Sequence, residues 1–166
     1  MNTKILFHGS PLKLKILKPK KSKGFFYIEN LKAVYLTPSF KEAALYAISK
    51  SLKGKTSFAI TRQKLYLFGN YKLSKGYVYE VRLRKDDKYL RRIPLGYIYL
   101  KQIRPKKVHV VSPKDFENFI VRIKNKKKFN KLIKRLEKQK NETIYILQQK
   151  SLDNRKLQRF NESRKA

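Results

Sequence analysis

Val34-Tyr35-Leu36-Thr37-Pro38-Ser39-Phe40-Lys41-Glu42-Ala43-Ala44-Leu45-Tyr46-Ala47 is the stretch on which the fold turns. Ala33-Val34-Tyr35-Leu36 is a short β-branched and aromatic run, read as a strand. Thr37-Pro38-Ser39 then supplies a helix cap, and Glu42 stands three residues after Ser39, the S-x-x-E pattern of a capping box. A helix follows through Ala43, Ala44, Leu45, Tyr46 and Ala47 to about Leu52, where Gly54 stops it. Working outward toward the N-terminus, Lys4-Ile5-Leu6-Phe7 reads as a first strand, ended by the turn signal His8-Gly9-Ser10-Pro11. Leu12 to Lys23 is basic, is punctuated by Pro19, and reads as an exposed loop or short helix.

Toward the C-terminus the pattern becomes strand-like from Thr56. Tyr77, Tyr79, Val81 and Leu83 alternate with Val78, Glu80 and Arg82, the period of a strand. Gly96-Tyr97-Ile98-Tyr99-Leu100 and Lys107-Val108-His109-Val110-Val111 are further strands, separated by Pro105. Asp115 to Ile120 reads as a short closing helix. From Lys124 the composition shifts. Phe129, Leu132, Ile133 and Leu136 follow i, i+3, i+4, i+7 spacing, one apolar stripe on a helix otherwise rich in lysine. Ile144-Tyr145-Ile146-Leu147 continues the apolar content, and Ser151 to Ala166 is polar. The expected organisation is a body over residues 1–121 and a basic helical extension over residues 122–166.

Composition excludes several function classes. With no cysteine among 166 residues, disulfides, thiolate zinc sites and cysteine nucleophiles are out, and two histidines leave little for a metal centre. No apolar run approaches the ~18 residues of a membrane span, and the N-terminal apolar run breaks at His8, unlike a signal peptide. The expectation is a cytoplasmic protein without a metal. The net charge of +32 attracts polyanions, nucleic acid first. Basic residues outnumber acidic ones both in the body and from Arg122 onward, so the charge is not a detachable tail. Lys20, Lys21 and Lys23, next to Phe25, Phe26 and Tyr27, and Lys126, Lys127 and Lys128 on the late helix are candidate phosphate contacts. Aromatics in a basic groove suit single strands, and solvated helix faces or a core role explain the same residues.

Two segments, Phe7-His8-Gly9-Ser10-Pro11 and the strand–helix stretch with Tyr35 and Tyr46 eleven residues apart, together resemble the ADP-ribosyltransferase superfamily, in its poly(ADP-ribose) polymerase-like, diphtheria-toxin-like branch. The resemblance covers Lys4 to about Phe119. It implies an α+β fold, a split β-sandwich with short helices around an NAD cleft. It implies NAD as substrate, with His8, Gly9, Ser10, Tyr35 and Tyr46 as binding residues and His8 and Tyr35 in the catalytic set. A histidine nitrogen can bond a ribose hydroxyl, a glycine admits close approach of a planar carboxamide, and two tyrosines can sandwich the nicotinamide ring. The family's catalytic glutamate opens a late strand; on Gly96-Tyr97-Ile98-Tyr99 glycine stands in its place and cannot supply that charge. Gln102 and Glu80 are the substitute candidates. The resemblance implies an NAD-dependent transferase acting on a macromolecular acceptor, nucleic acid or protein, or else a catalytically silent module that binds DNA or RNA. A plain turn histidine bonded to a backbone carbonyl also accounts for His8. Asp86-Asp87 reads as a solvated turn and His109 as structural.

Overall fold

The computed structural model describes residues 2–21, 31–93, 96–139 and 143–147. In chain order the elements run β1 (Thr3–Ser10), β2 (Lys20–Lys21), β3 (Lys32–Leu36), α1 (Phe40–Ser49), β4 (Phe58–Thr61), β5 (Leu65–Phe68) and β6 (Gly76–Arg84). They continue with β7 (Leu90–Ile93), β8 (Gly96–Tyr99), β9 (Lys107–Val111), β10 (Ile120–Ile123), α2 (Lys126–Lys138) and β11 (Thr143–Leu147). The result is a mixed α+β chain with three small sheets, ordered β1-β6-β9, β2-β3-β8-β7 and β10-β5-β4-β11.

Alternation assigns the two faces of the first sheet. Leu6, Tyr79, Val81 and Leu83 pack on Leu17, Val34, Leu36 and Tyr99, so one face meets the second sheet. Val78 and Val111 join Ala43, Ala44, Ala47 and Ile48, so the other face carries α1. Two glycines permit that helix to lie against the strands. A Cβ at Gly9 would stand 2.0 Å from the Ala43 carbonyl oxygen, and one at Gly76 would stand 2.5 Å from that of Ala47. The small residues of α1 and these glycines are therefore two halves of one contact.

At its start, α1 is capped by Ser39, whose Oγ accepts the Glu42 N–H at 3.2 Å. The reciprocal half of the expected capping box is replaced. The Ser39 N–H donates to Thr37 Oγ1 at 3.1 Å, and the Glu42 carboxyl turns to the Thr37 hydroxyl. After α1, a 3₁₀ turn over Lys50–Leu52 leads to Gly54 at φ +80°, the stop expected there.

The third sheet lies between two helices. Phe58, Ile60, Leu65 and Leu67 pack toward α1, while Ala59, Tyr66 and Phe68 receive Phe129, Ile133 and Leu136 of α2. Residues 121 and 122, on either side of the expected boundary, both lie in β10, which pairs in parallel with β5. Two expectations change here. Residues 144–147 belong to a strand, β11, antiparallel to β4. The closing helix is a 3₁₀ segment, Pro113–Phe119, that runs directly into β10. Among the described residues no helix is long and apolar enough to cross a membrane.

Candidate functional site

The first and second sheets touch along one seam. The Phe7 N–H donates to the Thr37 carbonyl at 2.8 Å and the Thr37 N–H to that of Phe7 at 2.9 Å, an isolated antiparallel bridge. Continued in register, that ladder would next pair Gly9 with Tyr35. It does not continue. The Tyr35 carbonyl instead accepts from His8 Nδ1 at 2.8 Å. The side chain of one strand has taken the acceptor that the strand's own backbone would have used, and the sheets part at this point.

Two consequences follow for chemistry. Backbone groups of alternate residues point to the same edge of a strand, so the Gly9 N–H and C=O lie on the edge where Phe7 meets Thr37. Among the described residues, Gly9 has no strand partner on that edge. A donor and an acceptor side by side on one strand edge match a planar primary amide. Second, a carbonyl only accepts, so His8 Nδ1 carries the proton and Nε2 presents a lone pair. Burial is the main cause holding the His8 imidazole down at about 4; the bond to Tyr35 opposes this, and the positive charges of Lys50 and Lys20 reinforce it. At neutral pH it is an uncharged hydrogen-bond acceptor.

The expected residues are placed as follows. Tyr35 gives its carbonyl to His8, and its hydroxyl donates to the Leu31 carbonyl at 3.1 Å. Tyr46 lies on α1 one turn before Lys50, whose Nζ sits 5.5 Å from the Tyr46 ring centroid. Lys50 in turn acts on His8, so Tyr46, Lys50, His8 and Tyr35 form one neighbourhood. Burial, then Lys53 and Lys20, lower the Lys50 ammonium from its ordinary value. Lys50 had no signal in the sequence beyond one lysine among many; its place follows from i, i+4 spacing with Tyr46. Ser10 Oγ accepts the Leu12 N–H at 3.1 Å and closes the turn after β1. That turn is pinned further by Tyr79, whose hydroxyl donates to the Leu12 carbonyl at 2.7 Å and accepts the Leu14 N–H at 2.6 Å. The missing side chain of Gly9 faces α1, so its absence serves helix packing and not ligand approach.

Glu80 is not oriented toward His8. It pairs across the ladder with Phe7, while His8 pairs with Tyr79, so Glu80 and His8 lie on opposite faces. Its carboxylate stands 3.6 Å from Arg82 Nε and 3.6 Å from His109 Nε2. Gln102 is exposed after β8, beside Ile103, whose backbone exchanges two hydrogen bonds with Leu17. Among the described residues no hydrogen bond or ion pair joins it to His8. Gly96 opens β8, as the resemblance requires, but at φ +152° with a would-be Cβ 2.5 Å from the Leu36 carbonyl oxygen. The backbone here demands glycine.

Of the candidate phosphate contacts, Lys20 and Lys21 form β2 and pair with Ala33 and Lys32. Lys126, Lys127 and Lys128 are exposed on the first turn of α2. Lys23, Phe25, Phe26 and Tyr27 lie outside the described residues. Asp86 and Asp87 form the turn expected of them: Asp86 holds Arg84 through two bonds, of 3.0 and 2.7 Å, and Asp87 accepts the Tyr89 N–H at 2.8 Å. No protein-family model, curated protein or solved structure matches the chain.

Proposed function

We propose that the protein is an NAD-binding ADP-ribosyltransferase-like protein that transfers ADP-ribose to a macromolecular acceptor. The observation that carries this reading is the parting of β1 from β3 at His8. It leaves the Gly9 N–H and C=O without a strand partner on that edge among the described residues, and a neutral His8 nitrogen beside them. The paired backbone groups suit the nicotinamide carboxamide, His8 Nε2 suits a ribose hydroxyl, and Tyr35 and Tyr46 suit the ring. Lys50 and Lys20 suit the negative charge of the dinucleotide's phosphates. Calorimetry with NAD on wild type, His8→Ala and Tyr46→Ala tests the pocket. Binding lost in both variants, with melting curves retained, is the expected result; binding equal in all three would sink the assignment.

Gly96 favours a second reading, in which the fold is kept, bond cleavage is lost, and the basic surface holds nucleic acid. A position that cannot take a Cβ cannot take the family's carboxylate. Release of free nicotinamide from bound NAD separates the two, since only a transferase or hydrolase liberates it.

A further inference from the structure

The tip of the β4–β5 hairpin and the last turn of α2 border a solvent-open cavity of about 310 Å³, lined by Thr61, Arg62, Gln63, Lys64, Arg135 and Gln139 among others. Its charged lining residues are three cations. The tip is rigid. Thr61 Oγ1 accepts the N–H groups of Gln63 at 3.2 Å and Lys64 at 3.0 Å, and the Thr61 N–H donates to the Lys64 carbonyl at 2.9 Å. Lys41 Nζ holds Gln63 Oε1 at 2.9 Å, which leaves the Gln63 amide N–H groups as donors. Glu42, an acid that feels Arg62, is buried under the helix start at 3% exposure. Away from the cavity, Lys127, Lys131, Lys134 and Lys138 recur at i, i+4, i+7 and i+11 along the exposed side of α2, a stripe about 16 Å long at 1.5 Å per residue.

We propose that this cavity holds a backbone phosphate of a nucleic acid whose neighbouring phosphates run along the α2 lysine stripe. Two arginines and a lysine with the Gln63 amide between them form a donor set for phosphate oxygens. A membrane surface fits less well, because binding there needs an apolar face to insert. The apolar residues of α2 that pack, Phe129, Ile133 and Leu136, are each 3% exposed or less, and among the described residues the large exposed apolar side chains lie on other elements. The inference is independent of the NAD reading; its site lies on the third sheet, and His8 lies on the first.

A chain of net charge +32 binds any polyanion somewhat, so the test compares variants of equal charge. One carries Arg62→Gln, Lys64→Gln and Arg135→Gln. The other carries Lys85→Gln, Lys88→Gln and Arg91→Gln, on the β6–β7 turn and β7. All six positions are exposed, and melting curves check that each variant folds. Fluorescence anisotropy with a labelled 20-nucleotide single-stranded RNA and a 20-base-pair DNA duplex, across a salt series, gives affinity and salt slope. Each lost phosphate contact lowers the slope of log K against log salt by about 0.7 for a single strand and about 0.9 for a duplex. The cavity variant is expected to lose one phosphate's worth of slope, about 0.7 on the single strand and about 0.9 on the duplex, and at least tenfold in affinity, with the control slope unchanged; the single variant Arg135→Gln loses part of that. Equal losses in the two triple variants overturn the site. So does retention of nucleic-acid binding by a cavity variant that has lost binding to phosphatidylcholine–phosphatidylserine vesicles.

Discussion

At the scale of single residues, two buried groups titrate in opposite senses. His8 is held down to about 4 by burial, against the bond to Tyr35 and with the charges of Lys50 and Lys20. Glu42 is pushed up to about 7 by burial, against the Thr37 hydroxyl and Arg62. Between pH 4 and 6.5 the unfolded chain binds the extra proton on His8, so that residue makes stability rise with pH. Between pH 4.5 and 7 the folded chain holds the extra proton on Glu42, so that residue makes stability fall as pH rises. Each slope reaches about 1.4 kcal/mol per pH unit, and over pH 4.5–6.5 they cancel. Wild-type stability, followed by urea melts, is expected to show no net contribution from this pair in that window. Glu42→Gln should uncover a rise with pH and His8→Asn a fall; unchanged profiles in both would refute the assignments. Gly9→Ala should cost at least about 2 kcal/mol, from overpacking against the Ala43 carbonyl. Gly96→Glu should destabilise the β3–β8 contact and restore no cleavage of NAD, read by thermal melting and nicotinamide release.

At the scale of elements, α1 is positioned from both ends. Ser39→Ala removes the acceptor for the Glu42 N–H and should lower stability by about 1 kcal/mol in a chemical melt. Much of this level was legible in the sequence. The change of period after Leu36, the cap at Ser39 and the stop at Gly54 are local signals, and the structure follows them. Strand β6 was equally plain, because one of its faces meets the second sheet and the other α1. What local signals do not carry is pairing. Ile144 to Leu147 is a short apolar run that suits a helix end or a strand, and β11 exists because β4 offers it an edge. Ile120 reads as the end of the closing helix until β5 is placed beside it and Ile120–Ile123 pairs as a strand. The site divides in the same way. His8, Gly9, Tyr35 and Tyr46 are site residues only as the resemblance implies them, and which face of the sheet Glu80 occupies depends on register with β1. That Gly9 is a packing glycine depends on a helix more than thirty residues later in the chain.

At the scale of the whole molecule, the third sheet binds the late part of the chain to the middle. Phe129 is 2% exposed between α2 and the sheet. Phe129→Ala should cost about 3–5 kcal/mol, enough to remove a large share of a small protein's stability, with loss of a cooperative melt as the readout. The cavity and stripe on this layer should make nucleic-acid binding fall steeply with salt, whereas a pocket built on Gly9 backbone groups and His8 should respond to salt weakly. The sheet order also sets a schedule for biosynthesis. Strands β4 and β5 leave the ribosome well before α2 and β11, which cover the Ala59 face and close the β4 edge. At ordinary translation speeds that interval is roughly 4–17 seconds. During it, a nascent chain with a strongly basic surface carries an open strand edge and an uncovered apolar face in a compartment full of ribosomal RNA. Until β11 arrives, the β4 edge has no strand across it.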